Sequence, residues 1–207
     1  MDAEATLAAV AAEVAACRAC RLAETRTLAV PGAGRVGTGV VFVGEAPGRH
    51  EDACGMPFVG RCGQVLDRWL GELGMPWREL GYLVPVVKCR PPRNRDPRPD
   101  ELAACRPHLV RQLEALRPRV VITLGRFGLN AFLPKAVLSE AHGRWQRATT
   151  WPGGAAPGEY ALFPLPHPAA AMRFPRWREA MLADLAELAR TLPAVLDRPA
   201  PGGDEAE

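Results

Sequence analysis

Long apolar runs are missing from this chain: none of its 207 residues lies in a stretch long enough to cross a membrane. That predicts a cytosolic protein with no membrane partner. Lysine is nearly missing as well. Of 26 basic residues only Lys88 and Lys135 are lysines, and the Arg, Ala and Pro bias reads as genome composition rather than function. A net charge of +3 permits a nucleic-acid partner without arguing for one. No internal repeat is visible, which excludes a solenoid. A second short C-x2-C knuckle is also lacking, so the usual pattern of a structural zinc ribbon is incomplete. Six cysteines in a cytosolic chain signify metal, redox chemistry or packing before disulfides. The length suits one domain over residues 1–195, followed by an acidic Pro/Gly-rich tail over 196–207 that is expected to be disordered.

What the chain does have is concentrated between Val40 and Gly63. Val40–Val43 is a short, wholly apolar run that reads as a buried strand. Gly44 and Gly48 bracket a tight turn containing Pro47. Glu45, Arg49, His50, Glu51 and Asp52 crowd behind it. Open α/β sheets place their sites at such carboxyl ends of strands. A second Gly-rich turn carries Phe58 at its tip and leads into a helix over about Cys62–Leu73. Gly32–Gly37 matches the dinucleotide-binding pattern letter for letter, but it precedes a strand instead of following one, so it reads as a loop.

Elsewhere, helices are expected over Ala3–Cys17, from an Asp100 cap to Leu116, over Phe127–Phe132 and over Arg176–Leu192. Further strands are expected at Leu83–Lys88, Val120–Leu124 and Tyr160–Leu165. Pro85 lacks a ladder donor, so its strand either lies at an edge there or begins after it. Lys135–Gly158 reads as a long loop with a hairpin. Alternating strands and helices predict an α/β fold: a three-layer α/β/α sandwich around a four-stranded, mostly parallel sheet.

Cys17-x2-Cys20 pairs by composition with Cys89 and Cys105, which are separated by fifteen residues. Four thiolates hold either zinc or an iron–sulfur cluster. The open second half suits the bulkier group. Cys54 and Cys62 read as small buried hydrophobes. Arg90, Arg93 and Arg95, beside Cys89, are candidates for phosphate contact, as is Arg173 after His167.

Several separated motifs agree in order: Gly44–Gly48 (Gly-Glu-Ala-Pro-Gly) with Glu51-Asp52, Pro57–Gly63 (Pro-Phe-Val-Gly-Arg-Cys-Gly), Val87–Pro97 around Cys89, Cys105-Arg-Pro, and His167-Pro-Ala. In this the chain resembles the iron–sulfur uracil-DNA glycosylases, family 4 of that superfamily, from about Cys17 to the last helix. The resemblance implies a monomeric DNA-repair enzyme that flips uracil out of single- or double-stranded DNA and hydrolyses its N-glycosidic bond. It implies a [4Fe–4S] cluster on Cys17, Cys20, Cys89 and Cys105. It places Phe58 against the base, the backbone of Glu45 and Ala46 at the base edge, His167 at the uracil carbonyl and Glu51 at the pocket as the second acid. The chemistry agrees: the anionic leaving base needs donors, and a carboxylate, Glu51 or Glu45, opposes the cationic sugar or orients water.

One departure stands out. Family 4 carries an asparagine four residues before the third cysteine, where this chain has Pro85. An amide reads both a carbonyl and an N–H; proline reads neither. The expectation is therefore a broader base range or slower uracil excision. The alternative is an iron–sulfur DNA-binding protein that has lost excision.

Overall fold

A computed structural model describes residues 2–197. In chain order the elements are α1 (Ala3–Ala16), β1 (Ala33–Gly34), β2 (Val40–Gly44), α2 (Arg49–Cys54), α3 (Arg61–Glu72), α4 (Trp77–Leu80), β3 (Tyr82–Pro85), α5 (Pro99–Leu116), β4 (Val120–Leu124), α6 (Gly125–Phe132), α7 (Leu138–Ala141), β5 (Gln146–Trp151), β6 (Gly154–Leu165), α8 (Pro168–Arg173) and α9 (Pro175–Asp197).

The strands form one sheet in the order β1-β3-β2-β4-β6-β5. Its centre, β3-β2-β4-β6, is parallel, and β1 and β5 lie antiparallel at the two edges. The α/β class is as expected; the sheet has six strands where four were predicted. Both additions are edge strands. β1 is two residues of Ala and Gly with no strand signature, and it pairs only because glycine lets it approach β3. A Cβ on Gly34 would lie 2.4 Å from the Gly81 carbonyl oxygen. β5 is the first arm of the expected hairpin, and β6 therefore begins at Gly154 rather than Tyr160.

The central strands are apolar on both faces because both faces are covered. Val41, Val43, Val84 and Val121 pack with Leu7 of α1, Leu109 and Leu113 of α5 and Leu129 of α6. Val40, Phe42, Val120 and Ile122 pack with Leu66 and Leu70 of α3 and Met181 and Leu185 of α9. Full burial of each Val or Leu is worth about 1.5–3 kcal/mol. Such runs carry no alternation, which is why they read as parallel strands.

Two boundaries shift for local reasons. α5 begins at Pro99 rather than at an Asp100 cap: Pro99 takes the first helical position, and the Arg98 N–H donates to Glu101 Oε2 at 2.8 Å. α9 runs on to Asp197, beyond both the predicted Leu192 and the predicted domain end. The remainder of the expected acidic tail, from residue 198, lies outside the described residues.

Candidate active site and four-cysteine cavity

A cavity of about 480 Å³ opens at the carboxyl ends of β2, β3 and β6. Glu45, Ala46, Glu51, Phe58, Pro85 and His167 all line it, so residues scattered over the sequence meet at one place. Cys62, Asn94 and Met172 line it too. Sequence reasoning missed the first two, although Cys62 lies inside the Pro57–Gly63 motif. The reading of Cys54 and Cys62 as buried packing residues is corrected: Cys54 is exposed, and Cys62 is half-buried at the cavity wall. Burial and then the Glu51 carboxylate push the Cys62 thiol up to about 11.

Phe58 is fixed by its surroundings. Its φ of 55° is left-handed, uncommon for a bulky side chain. The Phe58 carbonyl accepts a 2.6 Å hydrogen bond from Arg78 Nη2. A Cβ on Gly63 would lie 1.6 Å from that carbonyl oxygen, so glycine is required there. The ring meets Trp77 edge-on at 5.4 Å and lies over Gly44, where a Cβ would approach Phe58 Cζ to 2.6 Å. Asp67 Oδ1 accepts from both Trp77 Nε1 and Arg78 Nε at 2.7 Å, tying the two supports together. The result is a held aromatic wall.

His167 is the N-cap of α8, and its Nδ1 accepts from the Ala169 N–H at 3.2 Å. An accepting Nδ1 leaves the proton of the neutral ring on Nε2, making Nε2 a donor. Burial pushes the imidazole down to about 4, so it is neutral at physiological pH. Gly125, at φ 84°, makes room for it: a Cβ there would lie 2.9 Å from His167 Cβ. Glu51 is buried, and its Oε1 accepts from the Gly60 N–H at 2.8 Å. Gly48 and Gly60 both back onto this carboxylate. Burial, and then the Asp96 carboxylate, raise Glu45 to about 7, against the opposing Arg126 guanidinium.

Pro85 ends β3 and faces the cavity wall. β1 pairs with β3 only at Tyr82 and Leu83, so at Pro85 the strand has a neighbour on one side alone. The missing N–H therefore breaks no ladder. The expectation that the strand is at an edge there holds, whereas its predicted extension to Lys88 does not. In the basic loop, Arg90 Nε donates to Asn94 Oδ1 at 2.7 Å, and Arg93 is exposed. Arg95, expected at phosphate, is committed instead to Glu101, a fully buried carboxylate that takes both ends of its guanidinium. Arg173 is exposed and lies over the Phe174 ring at 5.3 Å.

Cys17, Cys20, Cys89 and Cys105 line one small cavity of about 20 Å³ on the α1–α5 face. Among the described residues no group of three or more His, Cys, Asp or Glu side chains is placed to hold a single metal ion. The surroundings nonetheless favour an anionic guest. Arg26 Nη1 donates to Cys89 Sγ at 3.0 Å, and the Lys88 N–H donates to Cys105 Sγ at 3.2 Å. Lys88 is 1% exposed, and its Nζ has the neutral Pro85 carbonyl at 2.6 Å rather than a carboxylate. His108 lines the same cavity with Nδ1 unpartnered. Burial pushes the Cys105 thiol up to about 11, so a thiolate there needs positive charge beside it.

A mostly parallel α/β sandwich thus carries, at its strand ends, a cavity walled by a fixed aromatic ring and bordered by a neutral imidazole and two carboxylates. The chain belongs to the uracil DNA glycosylase superfamily, whose family model matches residues 31–189. It is 42% identical over 181 residues to the type-4 uracil-DNA glycosylase of Archaeoglobus fulgidus, covering 85% of this chain and 88% of that protein. Against the type-4 enzyme of Saccharolobus solfataricus it is 39% identical over 193 residues, 91% of this chain and 88% of the relative. Against that of Thermotoga maritima it is 48% identical over 124 residues, 60% and 64% of the two chains.

Proposed function

We propose that this protein excises uracil from DNA by hydrolysing the N-glycosidic bond of a flipped nucleotide. The observation that carries the reading is the pairing, in one cavity, of the fixed Phe58 wall with a neutral His167 whose Nε2–H is free to donate. Phe58 would stack on the base, and backbone around Glu45 and Ala46 would meet its edge. As the bond to C1′ breaks, its electron pair leaves with the base, and His167 would donate to the carbonyl oxygen that gains charge. One such donor is typically worth about 2.7–4 kcal/mol. A neutral imidazole serves because it stabilises the anion without first giving up its proton. Glu51, pinned by Gly60, or Glu45 would face the positive sugar and orient the water that adds at C1′. Arg90, Arg93 and Arg173 would meet DNA phosphates.

Cys17, Cys20, Cys89 and Cys105 would hold a [4Fe–4S] cluster. Such a cluster with four thiolates is dianionic, which suits Arg26 at Cys89 Sγ and the buried Lys88, whose pKa burial pushes down to about 7 and whose charged form the neighbouring Cys105 and Cys89 sulfurs favour. When bound it would supply a covalent cross-link between α1, the segment after β3, and α5. Six free cysteines suit a reducing compartment, and the same reading makes the protein a cytoplasmic monomer of one domain that runs to the end of α9 at Asp197. A broader base range is a second reading, favoured by Pro85, which brings no side-chain hydrogen-bonding group to the cavity wall.

The test is cleavage of an oligonucleotide bearing one uracil, with iron-loaded protein. Abasic sites should accumulate, and His167→Asn should slow single-turnover excision by about 10²–10³-fold. Unaltered DNA bound with no base released would leave the DNA-binding alternative standing.

A further inference from the structure

A second groove, of about 590 Å³, lies between α3 and the α8–α9 corner. It shares Arg61 and Met172 with the base cavity, so the two are continuous across those side chains. Arg61, Arg68 and Arg178 line it, with Val65 and Trp69 among the apolar contributors, and no acid among its lining residues. Arg61, Val65 and Arg68 recur at helical spacing, so one face of α3 presents both cations. Arg61 and Arg68 are seven residues apart, about 10 Å of helix. Their charge is uncompensated: none of the three arginines forms an ion pair among the described residues, whereas Arg78, Arg95, Arg111 and Arg126 do.

We propose that this groove holds the phosphodiester backbone of the strand that carries the flipped nucleotide, on the side of the lesion beyond Met172. The proposal rests on the glycosylase reading of the neighbouring cavity. Contiguity selects that strand: Met172 and Arg61 border both cavities, so a chain whose base enters the one can leave, on one side, directly into the other. Spacing supports it, because each strand of a duplex carries one phosphate per ~3.4 Å of helix axis, so an arginine-lined face of that length meets more than one. The sequence signal was split. Arg178 follows His167, but Arg61 and Arg68 sit on a helix that reads as packing.

The experiment measures binding of an oligonucleotide bearing an uncleavable 2′-fluoro deoxyuridine analogue, as single strand and as duplex, across salt. In Arg68→Gln/Arg178→Gln the slope of log K against log salt should fall by about 1.8 for duplex and about 1.4 for single strand. Between 50 and 200 mM salt the parent duplex complex should thus lose about 12-fold more affinity than the variant's. Arg106→Gln/Arg117→Gln, on α5 and at its C-cap across the sheet, removes the same charge and should leave both slopes in place. A change confined to duplex would assign the groove to the opposite strand and overturn the proposal. Slopes equal to those of the α5 control would overturn it as well. A lowered slope on both substrates, in a parent that releases no uracil, would keep the groove and remove the glycosylase reading instead.

Discussion

Two side chains in the base cavity are moved in opposite directions by one cause. Burial disfavours the charged form of each, so Glu45 rises to about 7 and His167 falls to about 4. For His167 the folded value lies below the ordinary 6.5, so its contribution to stability is complete above that pH and is lost as pH falls through 4. For Glu45 the folded value lies above the ordinary 4.5, so its contribution is complete below that pH and is lost as pH rises through 7. The carboxylate that would face the sugar is thus unfavourable to the fold at the pH where it would work. Single-turnover excision by the parent should rise with pH with a midpoint near 7. In Glu45→Gln the inflection should vanish and the rate at pH 8 fall by about 10²-fold. The same variant should gain on the order of 1–3 kcal/mol in denaturant unfolding at pH 8. An inflection that persists in the variant would assign it to another group. Arg78 acts at one remove: it holds the Phe58 carbonyl and touches no base.

At the scale of elements, β2, β4 and most of the helices were legible because their patterns arise locally. Val40–Val43 is a short apolar run between Gly39 and Gly44, and Val120–Leu124, apolar but for Thr123, stops at Gly125, as strands buried on both faces do. β1 was not legible, because two residues become a strand only where a neighbour 50 positions on leaves room, as with Ala33 against Leu83, Gly34 lying beside Gly81. The short helix α2 was missed for its length, being one turn and a half closed by Gly55 at φ 74°. The cavity residues were legible as motifs, but not what holds them: Asp67, Trp77 and Arg78 reach Phe58 from α3 and α4. Pro85 shows both sides. Its oddity was visible in the sequence, while the reason the sheet tolerates it, a partner strand that stops at Leu83, was not. Pro85→Asn brings an amide to the cavity wall, so uracil release should rise relative to hypoxanthine release in single-turnover assays. It also adds a buried N–H with no ladder partner on that side, at a cost of about 1–3 kcal/mol. An unchanged ratio, with a parent that already cuts uracil alone, would mean that backbone groups read the base.

At the scale of the whole molecule, the four cysteines join parts of the chain that have little else in common. Cys20 and Cys89 are 69 positions apart (89 minus 20), and Cys105 lies on a helix from the far side of the basic loop. A covalent link closing a loop of that length removes on the order of 4 kcal/mol of unfolded-state entropy. Iron-loaded protein should therefore be brown with about four irons per chain. Cys89→Ser should lose the colour, and its Tm should fall by about 8–16 °C, at ~2–4 °C per kcal/mol for a chain of this size. A colourless protein with stoichiometric zinc would sink the cluster. Lys88 gives a sharper check, because a buried ammonium beside Cys89 and Cys105 helps only while those sulfurs carry negative charge. In the loaded protein Lys88→Met removes a counter-charge and should lower Tm. After the iron is chelated away, the same change removes a buried cation whose neighbours have become neutral thiols, and it should raise Tm. The reversal of sign between the two forms is the signature of an anionic cluster at this site. A Lys88→Met effect of the same sign in both forms would mean that the lysine serves the Pro85 carbonyl and not the cluster.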